Sequence, residues 1–177
     1  MTDSRSDKRA ITMARTEYVI EPGKQEIVMT RVFDAPRELV FNACTDPNML
    51  PKWWGPRRLS TTIDKMDVRP GGVWRFVQRD TAGNMFAFHG VYHEISAPAR
   101  CVRTFEFEGV PGHVLLETAT FEEFEGKTKL TQQSVFQSIE DRDGMVQSGM
   151  EKGATESMDR LAELLAELLK VKRKLDI

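Results

Sequence analysis

The chain has 177 residues, with 25 Lys and Arg against 27 Asp and Glu; this suits one domain with its own core and lacks the basic excess of a nucleic-acid binder. No apolar run approaches the ~20 residues of a membrane span, and the opening MTDSRSDKRA has no apolar stretch of the secretory type. Two cysteines, Cys44 and Cys101, make no disulfide framework. The expected protein is soluble and cytoplasmic, with a polar tail at 1–12, one domain at 13–172 and a short tail at 173–177.

Along the chain, Thr16 to Ile20 and Glu26 to Phe33 read as strands joined by a turn at Glu21 to Lys24. Asp34-Ala35-Pro36 stops the second strand and opens a helix over Arg37 to Thr45, since Pro suits a helix start. A second short helical segment begins at Asp46-Pro47, runs through Trp53 and ends at Gly55-Pro56. Strands then follow at Thr61–Val68, Val73–Arg79, Met85–Ile95, Cys101–Phe107, Val114–Phe124 and Lys127–Phe136, separated by Gly- and Pro-bearing turns.

The last segment, Glu140 to Lys170, reads as one helix of about 30 residues, ~45 Å long. Met158, Leu161, Leu164, Leu165, Leu168 and Leu169 form an apolar stripe along its second half. Its first half carries Gly149, Met150, Gly153, Ala154 and Ser157 near the same face. Glycine inside a helix costs roughly 1 kcal/mol relative to Ala, so these glycines need a reason: another backbone packs close, or space is left for a ligand. The order of elements implies an α+β protein in which a curved antiparallel sheet of six to seven strands wraps a long C-terminal helix. The leucines mark the closed end and the glycines the open one.

Several segments resemble a known family. They are Phe33 to Phe41 (FDAPRELVF), Asp46 to Pro56 with Trp53-Trp54-Gly55-Pro56, Arg69 to Gly72 with Trp74 and Phe76, Gly90 to Ile95 (GVYHEI), and Gly149-Met150 through Leu161. In order and spacing they resemble the helix-grip fold of the START-like, birch-pollen-allergen-like (SRPBCC) superfamily, in its bacterial branch homologous to activators of the heat-shock protein 90 ATPase. The resemblance covers residues 25 to 170. It implies a ligand-sized cavity between sheet and helix, and it does not imply one activity.

The candidate cavity-lining residues are Trp53, Trp54, Trp74, Phe76, Phe88, Phe105, Phe107, Gln132, Met145, Gly149, Met150 and Gly153. Each also has a plain reading as core or rim packing. For the adjacent indoles Trp53 and Trp54, about 100° apart on a helix, one is expected to face the cavity. Gln132, His89, Glu106 and Glu117 are the polar groups on strands that acid–base chemistry would need, and they read as exposed or as cross-strand partners. His89 and His93 would stand about 13 Å apart on a strand, too far for one ion. Cys44 lies in an apolar helix face, and Gly71-Gly72 reads as a turn.

No catalytic residue, metal or cofactor is expected. The leading reading is a binding protein for a small hydrophobic or aromatic ligand. The alternatives are a cyclase, dehydratase or hydrolase acting on an apolar compound, and a co-chaperone-like module with a chaperone contact. Neither a nucleic acid nor a membrane is expected as partner, and the edge segment Thr16 to Ile20 allows a monomer or a homodimer.

Overall fold

The computed structural model describes residues 15–175. Eight strands form one sheet: β1 (Glu17–Val19), β2 (Glu26–Phe33), β3 (Ser60–Met66), β4 (Val73–Arg79), β5 (Met85–Ser96), β6 (Arg100–Phe107), β7 (Val114–Phe124) and β8 (Lys127–Val135). Their spatial order is β1-β2-β8-β7-β6-β5-β4-β3, antiparallel throughout. The strands from β3 to β8 are a meander. The link from β2 to the far edge is carried by α1 (Arg37–Thr45) and a single 3-10 turn at Leu50–Lys52. That crossing places both segments over the end of one sheet face.

The sheet has eight strands rather than six to seven, because both edge segments join it. Register shifts between Ile63 and Lys65 and between Tyr92 and Glu94 add local twist. The concave face takes alternate residues: Ile27, Met29, Arg31 and Phe33 on β2 are all buried. The core fills with Phe33, Phe41, Trp74, Phe76 and Phe121 packed against Met158, Leu161 and Leu165.

The single C-terminal helix expected from Glu140 is two helices, α2 (Ile139–Gln147) and α3 (Met150–Leu175). Ser138 caps α2 by accepting a hydrogen bond from the Asp141 amide at 3.0 Å. Gly149, at φ +80°, breaks the run, a left-handed conformation that glycine adopts without the penalty of a Cβ. Gly149 is therefore explained by its backbone, and the space-making argument applies to Gly153 alone. The expected C-terminal tail is also shorter, since residues 173–175 continue α3. The tail expected at 1–12, and residues 176 and 177, lie outside the described residues. No described helix is long and apolar enough to cross a membrane.

A cavity beneath the broken C-terminal helix

Three polar anchors hold the helices over the sheet at one end. Arg142 donates from Nη1 to the carbonyls of Glu21 and Lys24, both at 2.7 Å, and pins α2 to the β1–β2 turn. Tyr18 donates to the Glu151 carbonyl at 3.0 Å, joining β1 to the start of α3. The Trp53-Trp54-Gly55 loop is fastened to α3 twice: the Gly55 amide donates to Ser157 Oγ at 2.9 Å, and Arg160 donates to the Gly55 carbonyl at 2.7 Å. Gly55 takes φ +95°, and a Cβ there would lie 1.8 Å from Gln78 Nε2. The positive φ favours glycine here, and a larger residue would also displace the end of the Gln78 side chain.

Between these anchors and the concave sheet face lies a cavity of about 570 Å³, within the size range of small-molecule sites. Its helix-side wall includes Met145, Met150, Gly153, Ala154 and Ser157. A Cβ added at Gly153 would meet nothing within 4 Å, so that position borders open space. The sheet-side wall is aromatic. Trp54 stands edge-on to Phe88 with centroids 5.2 Å apart, and Phe88 contacts Phe105 and Phe107 at 5.4 and 5.0 Å. These spacings fall in the favourable range for aromatic pairs.

Ten of the twelve candidates border the cavity: Trp53, Trp54, Phe88, Phe105, Phe107, Gln132, Met145, Gly149, Met150 and Gly153. Trp74 and Phe76 do not; both are 0% exposed and sit in the core behind the wall. Gly90 explains Trp74, because a Cβ there would lie 2.7 Å from the indole nitrogen, which donates to the Thr104 carbonyl at 3.1 Å. Both indoles of the Trp53-Trp54 pair border the space, but unequally. Trp53 is 5% exposed and its N–H donates to the Ala43 carbonyl at 2.8 Å, whereas Trp54 is only partly buried.

The cavity also holds a polar group that reading the strands one at a time does not find. On neighbouring strands, Arg103, Glu117 and Ser134 are register partners, and Tyr92 pairs with Arg103. Arg103 Nε donates to Glu117 Oε2 at 2.8 Å, and Gln132 Nε2 donates to Glu117 Oε1 at 2.9 Å. The guanidinium lies over the Trp74 ring, 4.4 Å from its centroid, a favourable cation–π distance. Burial draws the Arg103 pKa down, but the Glu117 carboxylate and the Tyr92 hydroxyl outweigh it and leave the value above the ordinary one. Arg103 is thus a cation at any ordinary pH, and Glu117 is its counter-ion.

Of the strand polar groups weighed from sequence, Glu117 and Gln132 face inward and His89 and Glu106 face outward. His89 lies 3.1 Å from both Glu106 and Glu108, away from the cavity. Parity is the cause: Glu106 alternates with the inward Phe105 and Phe107, and His89 is its register partner. The same parity puts Arg103 on the inward face with Phe105, which is the signal that would have found it. Cys44 and Cys101 also border the cavity. Burial pushes the Cys44 thiol up to about 12 and raises that of Cys101, so both stay protonated and weakly nucleophilic. Among the described residues no cluster of three His, Cys, Asp or Glu forms a metal-binding group.

The family model described as Activator of Hsp90 ATPase homolog 1-like protein matches residues 34–166. Protein Ms6760 from Mycobacterium smegmatis shares the fold with a TM-score of 0.78 at 24% identity, over 85% of this chain and 96% of its own. A protein from Arthrobacter aurescens superposes with a TM-score of 0.80 at 25% identity, over 85% and 91% of the two chains. A protein from Rhodobacter sphaeroides gives 0.79 at 26% identity, over 85% and 99%. No curated protein matches the chain.

Proposed function

Because the chain belongs to the family of Activator of Hsp90 ATPase homolog 1-like proteins, within the SRPBCC superfamily, we propose that it binds a small, largely apolar or aromatic molecule between its sheet and its two C-terminal helices. The observation that carries this reading is the space beside Gly153, where an added Cβ would meet no neighbour within 4 Å, facing a wall of aromatic rings. Native interiors are close-packed, and leaving such a space empty forfeits dispersion contacts. An occupant would restore them. Binding is favoured over catalysis because Glu117 is the one carboxylate among the described cavity residues. Both its oxygens already accept hydrogen bonds, from Arg103 and Gln132, so it is held as a counter-ion rather than presented to a substrate proton.

The test is a fluorescence titration with N-phenyl-1-naphthylamine, an uncharged apolar probe, on the wild type and on Gly153→Phe. Saturable one-to-one binding by the wild type, lost in a Gly153→Phe variant with unchanged circular dichroism, supports the reading. No saturable binding by the wild type, or equal binding by the variant, overturns it.

A further inference from the structure

The cavity is largely apolar; Arg58, the other charged residue on its lining, is exposed to solvent, and the buried polar group constrains what the occupant looks like. Resting on the ligand-binding reading above, we infer that the Arg103–Glu117–Gln132 group selects a molecule with an apolar or aromatic body and a single uncharged hydrogen-bond acceptor, of the carbonyl kind.

The guanidinium has five N–H bonds, of which the Nε one is committed to Glu117 at 2.8 Å. Arg103 keeps 16% of its side-chain surface accessible and stands on the cavity wall. The sealed polar atoms without partners, among the described residues, are Arg31 Nε and Arg37 Nε; the terminal nitrogens of Arg103 are not of that kind. Tyr92 is the register neighbour of Arg103, and both line the cavity. One face of the guanidinium is stacked on Trp74, so its orientation is set before a ligand arrives. A preset donor gains more per hydrogen bond than a free one.

Charge decides between an uncharged acceptor and an anion. Glu117 is 8% exposed and cancels Arg103 inside the cavity. A carboxylate on the ligand would add a second negative charge to a neutral pair in a low-dielectric space, and would compete with Glu117 for one guanidinium. An uncompensated buried charge costs more than the stronger hydrogen bond returns. A carbonyl oxygen accepts from Arg103 without that penalty. A pure hydrocarbon leaves the donors unsolvated and unpaired.

Three probes with one body separate these cases: 2-ethylnaphthalene, 2-acetylnaphthalene and 2-naphthoate, titrated at neutral pH by calorimetry. In the wild type the ketone is expected to bind about tenfold tighter than the hydrocarbon, the scale of one hydrogen bond to a charged donor, and tighter than the carboxylate. Arg103→Met/Glu117→Gln removes both charges together, which spares the fold the cost of a lone buried ion. In it the ketone and the hydrocarbon bind equally, and the hydrocarbon binds at least as tightly as it does to the wild type. Glu117→Gln alone frees the guanidinium charge, and the carboxylate becomes the tightest of the three. The inference is overturned if all three bind the wild type alike, if the carboxylate binds it tightest, or if the ketone keeps its advantage in the double variant. Those results leave the cavity itself standing. Failure of all three probes to bind the wild type removes the ligand-binding reading as well.

Discussion

The two ends of α3 pack against the same sheet in opposite ways. Toward its C-terminal half, Leu161 is 0% exposed and meets Phe33, Phe121 and Leu165 in a continuous core. Toward its N-terminal half, Gly153 faces open space, and the neighbouring wall carries an ion pair. The difference lies in side-chain size. Leucine fills the gap between a straight helix and a curved sheet, and glycine and alanine do not. One element thus serves stability at one end and leaves an accessible interior at the other.

The largest effect expected from this contrast is at the closed end. Leu161→Ala should cost about 4 kcal/mol, as buried Leu truncations do, whereas Met150→Ala at the cavity should cost under about 1 kcal/mol because its site is already incompletely packed. Urea denaturation midpoints measure both, and equal losses would break the comparison. Next comes the polar group. Arg103→Met alone strands the Glu117 carboxylate and should cost about 3 kcal/mol, and adding Glu117→Gln should return most of that loss. A double-mutant cycle reads the coupling.

The two glycines at the open end sharpen the comparison with effects of opposite sign. Gly149→Ala puts a Cβ on a residue at φ +80° and should destabilise by about 1 kcal/mol. Gly153→Ala places it in helical backbone with no neighbour within 4 Å and should stabilise by about 0.5–1 kcal/mol. Thermal melting at one pH separates them.

The smallest effect lies outside both regions and serves as a control. The Arg75 guanidinium, and after it His89, holds the Glu108 carboxyl down to about 2, with partial burial opposing. A carboxyl depressed in the fold contributes stability above its unfolded value near 4.5, and loses it as pH falls toward 2. Exposed pairs are weak, so this contribution is a few tenths of a kcal/mol. Glu108→Gln should flatten that part of the pH–stability curve and leave probe binding untouched.

Much of this arrangement was legible in the sequence. The strand segments, the Asp34-Ala35-Pro36 helix start, the leucine stripe and the small residues before it all depend on local periodicity and turn chemistry. The break at Gly149 was not, because a glycine in an amphipathic run reads as a tolerated interior residue unless its φ is known. Trp74 and Phe76 share the inward face with the cavity wall, yet Arg103 lies over Trp74 and Trp54 stands edge-on to Phe76, and strand parity carries no information about depth. Arg103 escaped notice for a related reason. A charged residue between the inward Cys101 and Phe105 reads as an outlier on its strand, until the facing strand supplies Glu117.

Alternation and spacing along the chain therefore determined the elements, their order and the face each one buries, because those depend on residues within a few positions of each other. The tertiary structure alone decided which inward residues meet solid core and which meet space. It also decided that a buried cation has its counter-ion 14 positions away at 2.8 Å. Depth and pairing depend on the curvature of the sheet and on strand register, and both are set by contacts between segments distant in the chain.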